Sequence, residues 1–415
     1  MKKRRGGVGY VGINHYICSN LCNPITMKNR VAAIDVLRSI TMFLMLFVND
    51  IPGLKGVPGW LFHAKADQDM LGFSDIIFPA FLFCVGMSVP FALENRFKKG
   101  ENYLQVITHI LIRTFSLVIM GLFTLNCSEH GVISGSWFML LMAIGFILTW
   151  LDAPALAQHR GIYSALKWAG VLLLAALLAY SDVSGKPFHT GWWGILGLIG
   201  WTYLVVSLVY LFTRKNLTAN GIVCAVFILL CVLNQSSLIP EEYFSRAVLL
   251  PFIPGGWTHH ALGMSGLMTS LVMKHLAQQK NGHRTLILTL LLAGVCCCLS
   301  GVVCHHFWIV SKIQATPTWL FYCLAIYFVS LALIFYITDV KGKNSWFQWL
   351  KPAGVATLTC YILPYVWYAL KDILGLSLPE GVYFGGVGIL ISLLYSYLII
   401  LIVKYLLECG VKIKV

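Results

Sequence analysis

From Val31 onward the chain alternates between long apolar runs and short polar connections. The runs fall at 31–51, 71–92, 104–126, 133–151, 162–180, 192–212, 219–234, 261–277, 285–307, 318–338, 353–374 and 383–407. Most approach the ~20 residues that an α-helix needs to cross a bilayer, and none shows the strict alternation of a half-buried strand. The pattern predicts an all-α polytopic membrane bundle of about 12 transmembrane helices. The count becomes about 11 if the seventh or eighth run fails to span, because residues 234–260 between them carry Pro240, Pro251, Pro254, Gly255 and Gly256 and suit a re-entrant or interfacial segment.

Composition agrees: 58% of residues are hydrophobic and 11% charged, with a mean hydropathy of +0.79, against roughly 25% charged in soluble domains. The net charge of +14 does not indicate nucleic acid, since the basic residues form short clusters between apolar runs. With the N-terminus inside, those clusters (Lys28 and Arg30; Arg96, Lys98 and Lys99; Arg160 and Lys167; Arg214 and Lys215; Lys274, Lys280 and Arg284; Lys341, Lys343 and Lys351; Lys404, Lys412 and Lys414) all face the cytoplasm. Outside remain Lys55, Lys65, Lys186, Arg246, Lys312 and Lys371. Both termini are therefore expected to be cytoplasmic and the loop bearing His63 external.

Residues 1–29 are basic and lack the apolar core of a secretory signal, so they read as a disordered cytoplasmic tail with Met27 as the true initiator. Residues 30–409 form a single transmembrane domain and 410–415 a second cytoplasmic tail. No internal repeat is visible. Most of the thirteen cysteines sit in apolar runs as small hydrophobes, and Cys18 and Cys22 have no second pair at zinc-site distance.

The first hairpin, Arg30 to Phe97, concentrates Asp35, Arg38, Asn49, Asp50, His63 and Asp75. Each charge at membrane depth costs ~2.5–3.5 kcal/mol on insertion scales, which marks the hairpin as the active site. Asp35 and Arg38 share a helix face and suit an ion pair. Asn49 lies about three turns beyond Arg38 on nearly the same face. His63 on the loop can reach Asp75, which also suits an N-terminal cap of the second helix. A histidine base or nucleophile, a carboxylate to fix its tautomer and an amide to orient a carbonyl suit acyl transfer. Arg38, with His109 and Arg113 four apart on the third helix, is placed to hold phosphates of a cytoplasmic coenzyme; structural ion pairing is the plainer alternative for the arginines.

The motifs D-x-L-R, F-V-N, F-x-H-A and F-S-D-I-I-F-P-A-F-L-F-C-V-G-M-S, from Arg30 to Asn126, resemble heparan-alpha-glucosaminide N-acetyltransferase and its bacterial relatives, with a looser match through I-T-D-V-K-G. The resemblance implies a multi-pass enzyme of the bacterial inner membrane. It implies acetyl transfer from cytosolic acetyl-CoA to an amino sugar or other glycan acceptor across the bilayer, with a homodimer as the assembly. It puts the catalytic histidine on His63 and the catalytic asparagine on Asn49. The family's R-I-P-G-V-L-Q-R stretch is replaced here by ISGSWFMLLMAIG, and its D-P-E-G loop by FIPGGWTHHALGMSG, which assigns the chain to a little-characterised bacterial branch.

Trp257, His259 and His260 in that second stretch are expected to line the acceptor pocket. They, and Cys304, His305 and His306, also raise a metal site, but adjacent helical histidines diverge by about 100° and no carboxylate completes a set, so no metal is expected. A secondary transporter for a sugar-like or anionic solute is the alternative function; it would share the helix count but lead one to expect a repeat.

Overall fold

The computed structural model describes residues 31–128, 132–236, 257–277, 279, 282–377 and 379–415. The predictions for Met27, for Cys18 and Cys22, and for most of 234–260 lie outside the described residues. Twelve helices of fifteen or more residues occur among those described: α1 Ala32–Asp50, α2 Ile77–Lys98, α3 Tyr103–Leu125, α4 Gly135–Thr149, α5 Arg160–Val183, α6 Gly194–Thr213, α7 Leu217–Gln235, α8 Thr258–Leu276, α9 Gly282–His305, α10 Pro317–Phe335, α11 Thr357–Ile373 and α12 Gly385–Glu408. Each overlaps one predicted run.

The protein is an all-α polytopic bundle. Among the described residues nine helices are long and apolar enough to cross a membrane, or ten if one bent pair is a single span. α4, at 15 residues, measures about 22 Å and is shorter than a bilayer core. α8 carries His259, His260, Ser265, Thr269 and Ser270, all buried, and 14 of its 19 residues are buried. A helix this polar stays at the centre because its neighbours replace both water and lipid around it.

The bent pair is a correction to the predicted continuous run 353–374. A short helix, Lys351–Val355, meets α11 at Ala356, where the chain turns by 72°. Pro352 opens the short helix, where no N–H is needed. Gly354 presses so closely on α1 that a Cβ there would strike Ser39. Docking on α1, not helix propensity, sets this bend.

α1, α2, α6, α8 and α10 form the core, while α5, α7, α9 and α12 turn Leu172, Leu229, Leu292 and Leu390 outward. α2 and α8 cross in backbone contact. A methyl at Gly86 would fall on the Gly263 carbonyl, and one at Gly266 on the Phe83 carbonyl. Small residues at a crossing let helices gain dispersion contacts where lipid offers no hydrophobic drive.

The start of α1 is capped from far away. Val31 offers no side-chain cap; instead the Ala32 and Ala33 N–H groups donate to Asp339 Oδ1 and Oδ2 at 3.0 and 2.9 Å. Asp339 sits in the π-helical turn Tyr336–Val340 that follows α10, within the I-T-D-V-K-G motif. At the same end, β1 Leu151–Asp152 pairs antiparallel with β2 Lys412–Ile413, and Lys412 and Lys414 approach Asp152. The residues predicted as a C-terminal tail are thus joined to the α4–α5 connection.

Gly86→Ala should force α2 and α8 apart and cost about 1–3 kcal/mol, as overpacked cores do. Thermal unfolding of the purified protein in detergent should start earlier than in wild type; an unchanged midpoint would mean that the two backbones do not touch.

Candidate active site

α2 does not begin directly at its loop. Phe73–Ile76 forms a 3-10 turn first, and Asp75 is its third residue. The carboxylate turns back to accept the Gly72 N–H at Oδ2 (3.2 Å), which caps the turn. The same oxygen accepts the Ala64 N–H at 3.0 Å. The other oxygen, Oδ1, lies 2.7 Å from Nδ1 of His63. Asp75 is therefore both the predicted cap and the partner of His63. Its neighbour Ser74 donates from Oγ to the Leu61 carbonyl at 2.7 Å.

The backbone around Asp75 is fixed from α10. Trp319 Nε1–H donates to the Asp75 carbonyl at 3.2 Å, and the Tyr327 hydroxyl donates to the Ile76 carbonyl at 2.6 Å. Asp75 is 1% exposed, whereas 46% of the His63 side chain is open. A carboxylate only accepts, so the 2.7 Å contact holds the proton on Nδ1 and leaves the Nε2 lone pair for chemistry. This is the arrangement by which a carboxylate orients an imidazole base or nucleophile.

Lys312 is the member that sequence reasoning missed, having counted it only as an external lysine. Its Nζ stands 3.3 Å from His63 Nδ1 and 4.0 Å from Asp75 Oδ1. Burial pulls the ammonium below the ordinary lysine range, and the Asp75 charge opposes that pull. Nothing near residue 312 in the sequence signals this role. It arises because the α9–α10 connection folds over the loop that holds His63.

That loop is stitched down at several points. Lys55 exchanges backbone hydrogen bonds with Tyr383 and Gly385, each 2.8 Å. The Ala66 carbonyl accepts from Ser311 Oγ and Gln314 Nε2. Asp69 accepts the Val310 N–H at 2.8 Å and lies 2.8 Å from His305 Nε2. The carboxylate that the sequence did not supply for His305 is thus Asp69. Among the described residues, no three His, Cys, Asp or Glu gather as a metal-binding group.

Asn49 is exposed in the last turn of α1. It shares the His63 end of the bundle, since Phe47 packs edge-on against Phe73 at 6.3 Å, but it has no hydrogen bond to His63 or Asp75. Its neighbour Asp50 accepts from the Tyr368 hydroxyl at 2.8 Å. Arg38 pairs with Asp35 at 3.1 Å, as the spacing predicts. Arg113 lies over the Tyr203 ring at 5.1 Å, and His109 is partly buried in the first half of α3. The three residues predicted for the coenzyme thus lie on two helices with different partners.

Trp257, predicted in a loop, is the left-handed residue before α8 (φ 76°), and His259 and His260 form its first turn. Their rings diverge. His259 meets Phe78 and Trp319 at 5.6 and 6.3 Å, and so borders the Asp75 site. His260 is fully buried between Phe227 and Trp257. Sequence reasoning also missed an ion pair at the Asp339 end, where Glu94 takes Lys274 at 3.1 Å and the Tyr210 hydroxyl at 2.8 Å beside a cavity of about 270 Å³.

The Val310 N–H, and next the His305 side chain, hold the Asp69 carboxyl below the usual carboxylate range. A depressed carboxylate stabilises the closed loop above its free value and loses that effect as pH falls through the lowered one. The loop should therefore stay closed through neutral pH and loosen only below about pH 4. Hydrogen exchange at the Val310 amide should accelerate there in wild type, and already at pH 7 in Asp69→Asn.

With this geometry in place, comparison with known proteins gives two relatives of one kind. The chain is 29% identical to heparan-alpha-glucosaminide N-acetyltransferase of Mus musculus over 98 residues, 24% of this chain and 14% of that protein. It is 29% identical to the Homo sapiens protein of the same name over 97 residues, 23% of this chain and again 14% of the relative. The chain thus matches only 14% of the length of each relative, and the match agrees in kind with the resemblance carried by the first hairpin. Residues 30–262, more than half of the sequence, fit the model of a family described as "Domain of unknown function (DUF5009)", and the chain belongs to that family.

Proposed function

We propose that the protein is a membrane-embedded acyltransferase that moves acetyl from cytoplasmic acetyl-CoA to an amino sugar or other glycan acceptor on the periplasmic side of a bacterial inner membrane. The observation that carries this reading is the 2.7 Å contact between the half-open His63 and the buried, backbone-tethered Asp75. The names of the two relatives supply the acetyl group and the amine acceptor. In this reading about twelve helices, or eleven, span, both termini are cytoplasmic, and the His63 end faces outward in accord with the basic clusters.

In the direct route, His63 Nε2 takes a proton from the acceptor amine as the amine nitrogen attacks the thioester carbonyl. A C–N bond forms, the C–S bond breaks, and the leaving thiolate receives the proton from the imidazole. In the covalent route, Nε2 attacks the thioester carbonyl first, the C–S bond breaks and the thiolate leaves; the amine then attacks the acetyl-imidazole, the Nε2–acetyl bond breaks, and Nε2 takes the amine proton and passes it to the thiolate. Asn49 serves to orient the carbonyl, and Asp75 keeps the ring in the productive tautomer. Arg38, Arg113 and His109 are assigned to the coenzyme, with Trp257, His259 and His260 on the acceptor side. A homodimer is the assembly that the family resemblance suggests.

Purified protein incubated with radiolabelled acetyl-CoA and a panel of amino sugars and oligosaccharides should acetylate at least one of them. His63→Ala should abolish transfer while the protein stays folded in the membrane. Asp75→Asn should lower turnover by about 10²–10⁴-fold, the range lost when acid–base catalysis is disabled. Substantial transfer by His63→Ala would remove the assignment.

A further inference from the structure

Asp75 and His63 alone would make an ordinary carboxylate–imidazole pair, in which the negative charge favours the protonated ring. That is a poor arrangement for a group that must offer a lone pair, because an imidazolium is neither base nor nucleophile. The structure adds a third charge. Lys312 reaches in from the α9–α10 connection to 3.3 Å from His63 Nδ1 and 4.0 Å from Asp75 Oδ1. Its side chain is 23% exposed, so solvent screens it only in part.

We infer that Lys312 is a positioning residue that offsets the Asp75 charge and keeps the His63 imidazole neutral, with its proton on Nδ1 and its Nε2 lone pair available. The inference deepens the acyltransferase reading and rests on it for its meaning, though not for its test. Asp75 still orients the ring through the 2.7 Å contact, but the ammonium removes most of the benefit a second proton would gain. In the covalent route the same ammonium opposes the positive charge of an N-acetylated ring, so the acetyl leaves more readily to an acceptor.

Few other groups bear on the ring. Asp75 faces it from the turn before α2, and Lys312 from the α9–α10 connection. On its own loop Lys65 and Asp67 are exposed, and Asp69 is taken by His305 and Val310. His259 of α8 stands against Phe78 and Trp319. Phe78 lies under the ammonium, 6.0 Å from Nζ to its ring centre, which favours a cation at that place. The lysine is bound into the site on two sides, by a carboxylate and by an aromatic face.

The test uses diethyl pyrocarbonate, which acylates neutral imidazole and needs neither coenzyme nor acceptor. Modification of His63 in the full-length protein is followed by peptide mass spectrometry across pH, and the midpoint is compared among variants. Lys312→Met should move the midpoint upward by about 1–3 pH units, the range expected for a charge at this separation. Lys312→Arg should leave it within a few tenths, and Asp75→Asn, which leaves the ammonium unopposed, should move it downward. A folded Lys312→Met protein whose midpoint stays at the wild-type value overturns the inference. If that variant does not fold, Lys312→Gln takes its place, and an unmoved midpoint in Asp75→Asn is equally fatal. Loss of acetyl transfer from every preparation, with these shifts intact, would sink the acyltransferase reading and leave the charge relation standing.

Discussion

A carboxylate with 1% exposure is tolerated only when its oxygens are fully engaged, since an unpaired buried charge costs several kcal/mol. Asp75 meets that demand with the N–H groups of Gly72 and Ala64, the imidazole of His63 and the ammonium of Lys312. Three of these partners lie on the loop before α2, and the fourth, Lys312, comes from the α9–α10 connection. Satisfying one carboxylate therefore fixes the start of α2, the loop that precedes it and the α9–α10 connection in one arrangement. The carboxylate side of the imidazole is thereby fixed, the kind of preorganisation a reactive imidazole needs.

The bundle behind this site is rigid for reasons that are local to its crossings. Glycines let α2 and α8 touch along their backbones, and α8 brings His259 against Phe78, one turn below Asp75. α10 supplies Trp319 and Tyr327 to the carbonyls of Asp75 and Ile76. Both helices carry polar groups that lipid would not tolerate, and both are held inside. The polar cost of the centre is offset by contacts within the protein, while leucine-rich helices form the outer surface.

Most of the architecture was legible because apolar run length reports helices directly in a bilayer, where the backbone has few other ways to be satisfied. The predicted His63 and Asp75 pairing was legible because Asp75 is costly near the start of an apolar run and His63, on the short loop just before it, is within reach. Lys312 was not legible, because its role depends on a loop from 250 residues later folding across the first one. The break at Ala356 escaped notice because Pro352 and Gly354 lie at the very start of an otherwise apolar run, and the docking of Gly354 on α1 is seen only in the structure. His259 and His260 fell before the predicted run 261–277, since an apolar-run count cannot register a helix that starts on polar residues after the left-handed Trp257.

The cap on α1 bears on how the molecule is assembled. The two N–H groups at the head of the first helix find their carboxylate on Asp339, 307 and 306 positions away. When the chain is made from its N-terminus, the described helices α2 to α10 all follow that helix before the residue that caps it is reached. The head of the first helix is thus among the first parts made, yet it receives its permanent cap only once α10 is in place. A product truncated before Asp339 would carry that helix with its two leading amides lacking this acceptor.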